Sequence, residues 1–83
     1  MEGHPQKRLT HLEFRLLHTL MIHRGQILPT DRIVDLVWGY SDQGDPELVR
    51  GLVSRLRSKV EPDPRNPRYI LTEAGIGYRF GEG

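Results

Sequence analysis

Apolar residues recur three and four positions apart in three stretches of this chain, and each stretch is bounded by residues that start or stop helices. In the first, Leu12, Leu16, Leu17, Leu20 and Met21 follow one another at helical spacing. Thr10-His11-Leu12-Glu13 is a capping box: the threonine hydroxyl takes an orphan N–H while the glutamate reaches back. Gly25 stands where a left-handed stop belongs. Gln26-Ile27-Leu28 reads as a short extended piece before Pro29. The second helix is predicted from Thr30, as its cap, through Ile33, Leu36, Val37 and Trp38, with Gly39 ending it. Tyr40 to Gly44 has turn composition and is expected to be an exposed loop.

The third helix carries most of the functional information. Asp45 caps it, Pro46 takes the first helical position, and Glu47 lies early, where the dipole favours an anion. At about 100° per residue, Val49, Leu52, Val53, Leu56 and Val60 form one stripe. Glu47, Gly51, Ser54, Arg55 and Ser58 lie opposite it, with Arg50 and Arg57 on one flank and Lys59 on the other. One face can therefore bury while the other offers arginines and small residues to a partner.

Three prolines between Glu61 and Pro67 rule out a helix there. Two strand-like runs follow, Tyr69 to Thr72 and Tyr78 to Phe80. Between them, Glu73-Ala74-Gly75-Ile76-Gly77 supplies two glycines for the positive φ of a tight hairpin. Three helices followed by a β-hairpin predict a mostly α domain with a small β part, a winged helix-turn-helix. Its second and third helices would be the helix-turn-helix pair, with the third in a major groove. The domain is expected over residues 9–83, after a tail or strand remnant at 1–8.

Charge sharpens this picture. The chain has a formal net charge of +1. From Arg50 to Arg68, six basic residues (Arg50, Arg55, Arg57, Lys59, Arg65, Arg68) stand against Glu61 and Asp63, a net of +4. Residues 31–47 hold five acids against Arg32, a net of −4. A near-neutral chain with one basic segment fits a directed polyanion-binding face. On charge alone, an ordinary solvated helix fits as well.

Composition excludes other classes. Eighty-three residues make one domain, and 36% hydrophobic residues with six aromatics give it a small core. Cysteine is absent, which removes disulfides, thiolate zinc sites and cysteine nucleophiles and fits a reducing cytoplasm. No apolar run approaches the ~20 residues that span a bilayer. Met1 to Gln6 lacks the apolar stretch of a secretory signal. A soluble cytoplasmic chain with no membrane partner is expected. His4, His11, His18 and His23 lack a spacing that completes a metal site. Gly75-Ile76-Gly77 precedes a strand, not a phosphate-binding helix, and Ser54 and Ser58 have no histidine beside them. No catalytic residue, cofactor or metal is therefore expected.

Leu9-Thr10, Glu13-Phe14-Arg15-Leu16-Leu17, Val37-Trp38-Gly39, Ser54-Arg55-Leu56-Arg57-Ser58-Lys59 and Gly75-Ile76-Gly77-Tyr78-Arg79-Phe80 come in a specific order over residues 8–80. In that order and spacing they resemble the effector domain of OmpR/PhoB-type response regulators. The resemblance implies sequence-specific binding of double-stranded DNA for transcriptional regulation, as the output of a two-component system. It also implies a second copy on tandem DNA repeats, and a phosphorylated receiver domain upstream. On this reading the DNA-binding residues are Arg50, Ser54, Arg55, Arg57, Ser58 and Lys59 of the third helix, with Thr72 and Arg79 of the wing. A solvent position for Arg79 and an ordinary strand role for Thr72 remain open, and Tyr78 is expected to pack under the wing. Trp38 reads as core. In some activators of that family the matching tryptophan and the following loop face RNA polymerase, which makes Trp38, Tyr40 and Asp42 candidate polymerase contacts.

The chain departs from the family pattern at three points. Only Gln6 to Leu9 remains for the small sheet that normally precedes the first helix, as in an excised piece or a shortened variant. Ala74 stands where many members carry a wing-tip arginine. Leu52 stands where many have a histidine able to touch phosphate. The rival reading is a winged helix that binds protein, a class whose outer helix face is neutral or apolar. The arginines of the third helix argue against it.

Overall fold

The computed structural model describes residues 8–39 and 45–81. Along the chain run α1 (His11–Ile22), β1 (Leu28–Pro29), α2 (Thr30–Val37), α3 (Pro46–Val60), β2 (Ile70–Glu73) and β3 (Gly77–Phe80). The capping box at α1 forms as expected: Thr10 Oγ1 accepts from Glu13 N–H at 3.2 Å, and Glu13 Oε1 accepts from Thr10 N–H at 2.9 Å. Asp45 caps α3 by accepting from Glu47 N–H at 2.9 Å.

Helix α2 starts differently from the sequence expectation. Pro29 holds the cap position with no side-chain hydrogen bond, and Thr30 is the first helical residue. The reason is tertiary. Thr30 N–H donates to the Ile76 carbonyl of the wing at 3.2 Å, so that donor needs no side-chain cap.

The strands form one antiparallel sheet in the order β1-β3-β2. Leu28 pairs with Tyr78 and Pro29 with Gly77, so the short extended piece before α2 becomes a third strand and ties the hairpin to the helices. The two loop glycines have different jobs. Gly75 has φ +76°, the left-handed conformation the turn requires. Gly77 does not; a Cβ there would sit 1.9 Å from the Leu28 carbonyl oxygen. It is needed for close approach of β1.

The core contains Leu16 and Leu20 of α1, Leu28, Ile33, Val34 and Val37 of α2, Val49, Leu52, Val53 and Leu56 of α3, and Ile70. The predicted stripe of α3 is thus buried, with Val60 partly covered. Leu52 belongs to this interior, so its side chain packs in the core and offers no phosphate contact. Arg8 to Thr10 lie in no strand, and Gln6 and Lys7 fall outside the described residues.

Candidate nucleic-acid interface

Burying Val49, Leu52, Val53 and Leu56 turns Gly51, Ser54, Arg55 and Ser58 outward. The small centre of this face lets another surface approach the α3 backbone closely. Arg50 and Arg55 extend from it with side chains 73% and 63% exposed. Arg50 makes an exposed pair with Glu47 at 3.5 Å, an interaction too solvated to hold it away from a polyanion. Arg55 lies back over Gly51, with Nη1 3.6 Å from where a Cβ would be, and its Nε sits 3.7 Å from Glu13 Oε2. Ser54 is exposed, and Ser58 Oγ donates to the Arg55 carbonyl at 2.8 Å.

The other cations of the expected DNA-binding set, Lys59, Arg57 and Arg79, have partners within the fold. Lys59 Nζ donates to Glu13 Oε1 at 2.6 Å and to the Arg8 carbonyl at 2.8 Å. Arg57 turns toward the wing, donating from Nε and Nη2 to the Ile70 carbonyl at 3.0 and 2.7 Å, and from Nη2 to Thr72 Oγ1 at 2.8 Å. Arg79 pairs with Glu73 on the neighbouring strand. Thr72 thus meets Arg57, and Arg50 and Thr72 share a cleft of about 230 Å³ with Thr30, Gly75, Ile76 and Tyr78. The cleft lies between the first turn of α2, the start of α3 and the wing. Trp38 is half-buried against the core, while Tyr40 and Asp42 fall outside the described residues.

Two carboxylates matter more than the sequence indicates. Glu13 is 1% exposed yet bonded to Lys59 and Thr10. Burial raises its pKa, but the hydrogen bonds from Lys59 and the Thr10 backbone outweigh that and hold the carboxyl below its ordinary range. The capping box reveals the role of Glu13 at the helix end; its link to α3 has no local signal. Glu61 is buried after the last turn of α3 and accepts from the N–H groups of Arg68, Tyr69 and Ile70. In the sequence its charge reads only as an offset to the basic segment.

Residues 4–80 match the family model described as "Transcriptional regulatory protein, C terminal". The chain belongs to this family. The likeness extends to solved members of the OmpR/PhoB group. The response regulator DrrB of Thermotoga maritima, an OmpR/PhoB homologue, shares 32% identity at a TM-score of 0.81 over 89% of this chain. This regulatory C-terminal domain spans only 33% of the DrrB chain. The DNA-binding domain of CssR from Bacillus subtilis shares 36% identity at a TM-score of 0.76, over 88% of this chain and 77% of that one. The RstA DNA-binding domain of Klebsiella pneumoniae, solved in complex with the RstA box, shares 31% identity at a TM-score of 0.79. There the match covers 89% of this chain and 73% of that one. The winged-helix architecture read from the sequence is therefore the architecture of the family. Among the described residues no helix is long and apolar enough to cross a membrane.

Proposed function

We propose that this domain binds double-stranded DNA sequence-specifically and regulates transcription as the cytoplasmic output domain of a two-component response regulator, without catalytic activity. The observation that carries the reading is the outer face of α3, where Arg50 and Arg55 flank the small residues Gly51 and Ser54 above the buried Val49, Leu52, Val53 and Leu56. A helix of that profile fits a major groove: small side chains permit approach, and long arginines reach base edges and phosphates. Likeness to the RstA domain, which was solved on its DNA box, supports the same use of the fold.

Within this reading Arg55 and Arg50 are the leading DNA contacts, with Ser54 and Ser58 at the centre of the helix face. Thr72 and Arg79 would serve from the wing, and Arg57 and Lys59 with the donors that their internal partners leave over. A second copy on a tandem repeat, and RNA polymerase at Trp38, Tyr40 and Asp42, are the further partners proposed. Selection of bound sequences from random duplex DNA tests the function directly. Recovery of a defined motif, with binding that weakens steeply as salt rises, is the expected result. Failure to retain any duplex at low salt would leave the protein-binding use of the fold in its place.

A further inference from the structure

A two-stranded hairpin is marginal by itself, and the third strand that joins this one contributes two residues. Something else must fix the wing against α3. Ile70 opens the hairpin, is fully buried, and has both of its backbone polar groups held by charged side chains of one helix end. Its carbonyl accepts from Arg57 Nε and Nη2 at 3.0 and 2.7 Å. Its N–H donates to Glu61 Oε2 at 2.8 Å. Arg57 and Glu61 are four residues apart, one helical turn, and the turn between them is closed by Glu61 N–H donating to the Arg57 carbonyl at 2.9 Å.

The grip extends along both sides of Ile70. Glu61 also accepts from Arg68 N–H at 2.8 Å and Tyr69 N–H at 3.1 Å, which orders the chain entering β2. Arg57 reaches Thr72 Oγ1 at 2.8 Å, and its guanidinium carbon lies 5.9 Å from the centre of the Tyr78 ring on β3. A cation on the carbonyl and an anion on the N–H of one residue resist both sliding and rotation of the strand. Charge-assisted bonds of this kind are the stronger ones.

We infer that Arg57 and Glu61 form a clamp on Ile70 that sets the position of the wing relative to α3. Arg57 is then a positioning residue for DNA binding, with its Nε and Nη2 donors held by Ile70 and Thr72. This inference rests on the proposed reading of α3 and the wing as one DNA-facing surface. It explains why a basic residue of α3 turns toward the wing. It also assigns the wing a fixed reach, because the clamp joins the root of the hairpin to the last turn of α3.

Replacing Arg57 by Gln and by Met separates positioning from phosphate contact. Both remove the charge. The amide nitrogen of glutamine stands as many bonds from the backbone as Arg57 Nε, so Arg57→Gln can still donate to the Ile70 carbonyl; Arg57→Met cannot. In the free protein, backbone amides from Leu71 to Phe80 should exchange on the order of tenfold faster in Arg57→Met, with Leu16 and Leu20 as the internal reference. Arg57→Gln should stay near wild type. On a labelled duplex selected by the wild-type chain, Arg57→Gln should bind more tightly than Arg57→Met, with the wild-type salt slope. Equal binding by the two variants with a slope lower by about one unit would assign Arg57 to phosphate and overturn the clamp. Wild-type exchange of the wing amides in Arg57→Met would overturn it as well. Failure of the wild-type chain to bind duplex would count against the proposed function, while the exchange experiment would still judge the clamp.

Discussion

Glu13 of α1 accepts a 2.6 Å hydrogen bond from Lys59 of α3 across the interior, and the same carboxylate lies 3.7 Å from Arg55 Nε. One buried acid thus joins the start of the first helix to a structural lysine and a candidate DNA-reading arginine. Deleting Lys59 leaves that acid without its strongest partner.

The pH dependence of folding follows from this link. Glu13 titrates below its ordinary range in the folded chain, so its contribution to stability is fully present above the unfolded glutamate pKa of about 4.3 and is lost as pH falls through the folded value. Thermal unfolding of the wild type should therefore weaken on acidification below about pH 4.3, and Glu13→Gln should be less stable near neutrality with a flatter acid limb. Parallel acid limbs for the two proteins would show that Glu13 does not carry this dependence.

Arg55→Ala should cost about 1–3 kcal/mol on the selected site and blur preference at one base position. Arg50→Ala, an exposed flank cation, should instead weaken all duplexes alike. Gel-shift titrations on selected and scrambled duplexes distinguish the two patterns. Negligible losses for both would remove α3 from the DNA contact.

Gly77→Ala should destabilise the domain by about 1–3 kcal/mol, because the added methyl meets the Leu28 carbonyl oxygen 1.9 Å away and pushes β1 off the hairpin. Gly75→Ala meets no atom and pays only for a left-handed backbone, roughly 1–2 kcal/mol. Circular dichroism melts give the comparison. Loss of the β1 amide protection in Gly77→Ala alone would locate the damage at that strand pair.

The wing offers little free charge: Arg79 is paired with Glu73, and the Thr72 hydroxyl accepts from Arg57. Its tip, Ala74 to Ile76, is exposed and carries no cation. Ala74→Arg should therefore tighten binding, favour A·T-rich flanks with a narrow minor groove, and steepen the salt slope by about one unit per phosphate neutralised. A salt series on two flanking sequences measures all three. Unchanged affinity on both would mean that the wing does not reach DNA.

The sequence by itself determined the helices, the caps of α1 and α3, the buried stripe of α3 and the hairpin turn at Gly75. Those features are set by neighbours within a turn or two, and periodicity reports them directly. It also carried the family, through short motifs in a fixed order. Which cations face outward was settled only in three dimensions. Arg55, Arg57 and Lys59 look alike as a basic run, yet Arg57 bonds a carbonyl 13 residues away and Lys59 a carboxylate 46 residues away, while Arg55 stays largely in solvent. The cap of α2, the need for glycine at Gly77 and the burial of Glu61 belong to the same class. Each depends on a polar group from another element arriving within hydrogen-bonding or van der Waals distance. Linear spacing does not encode that meeting; packing the apolar stripes together brings it about.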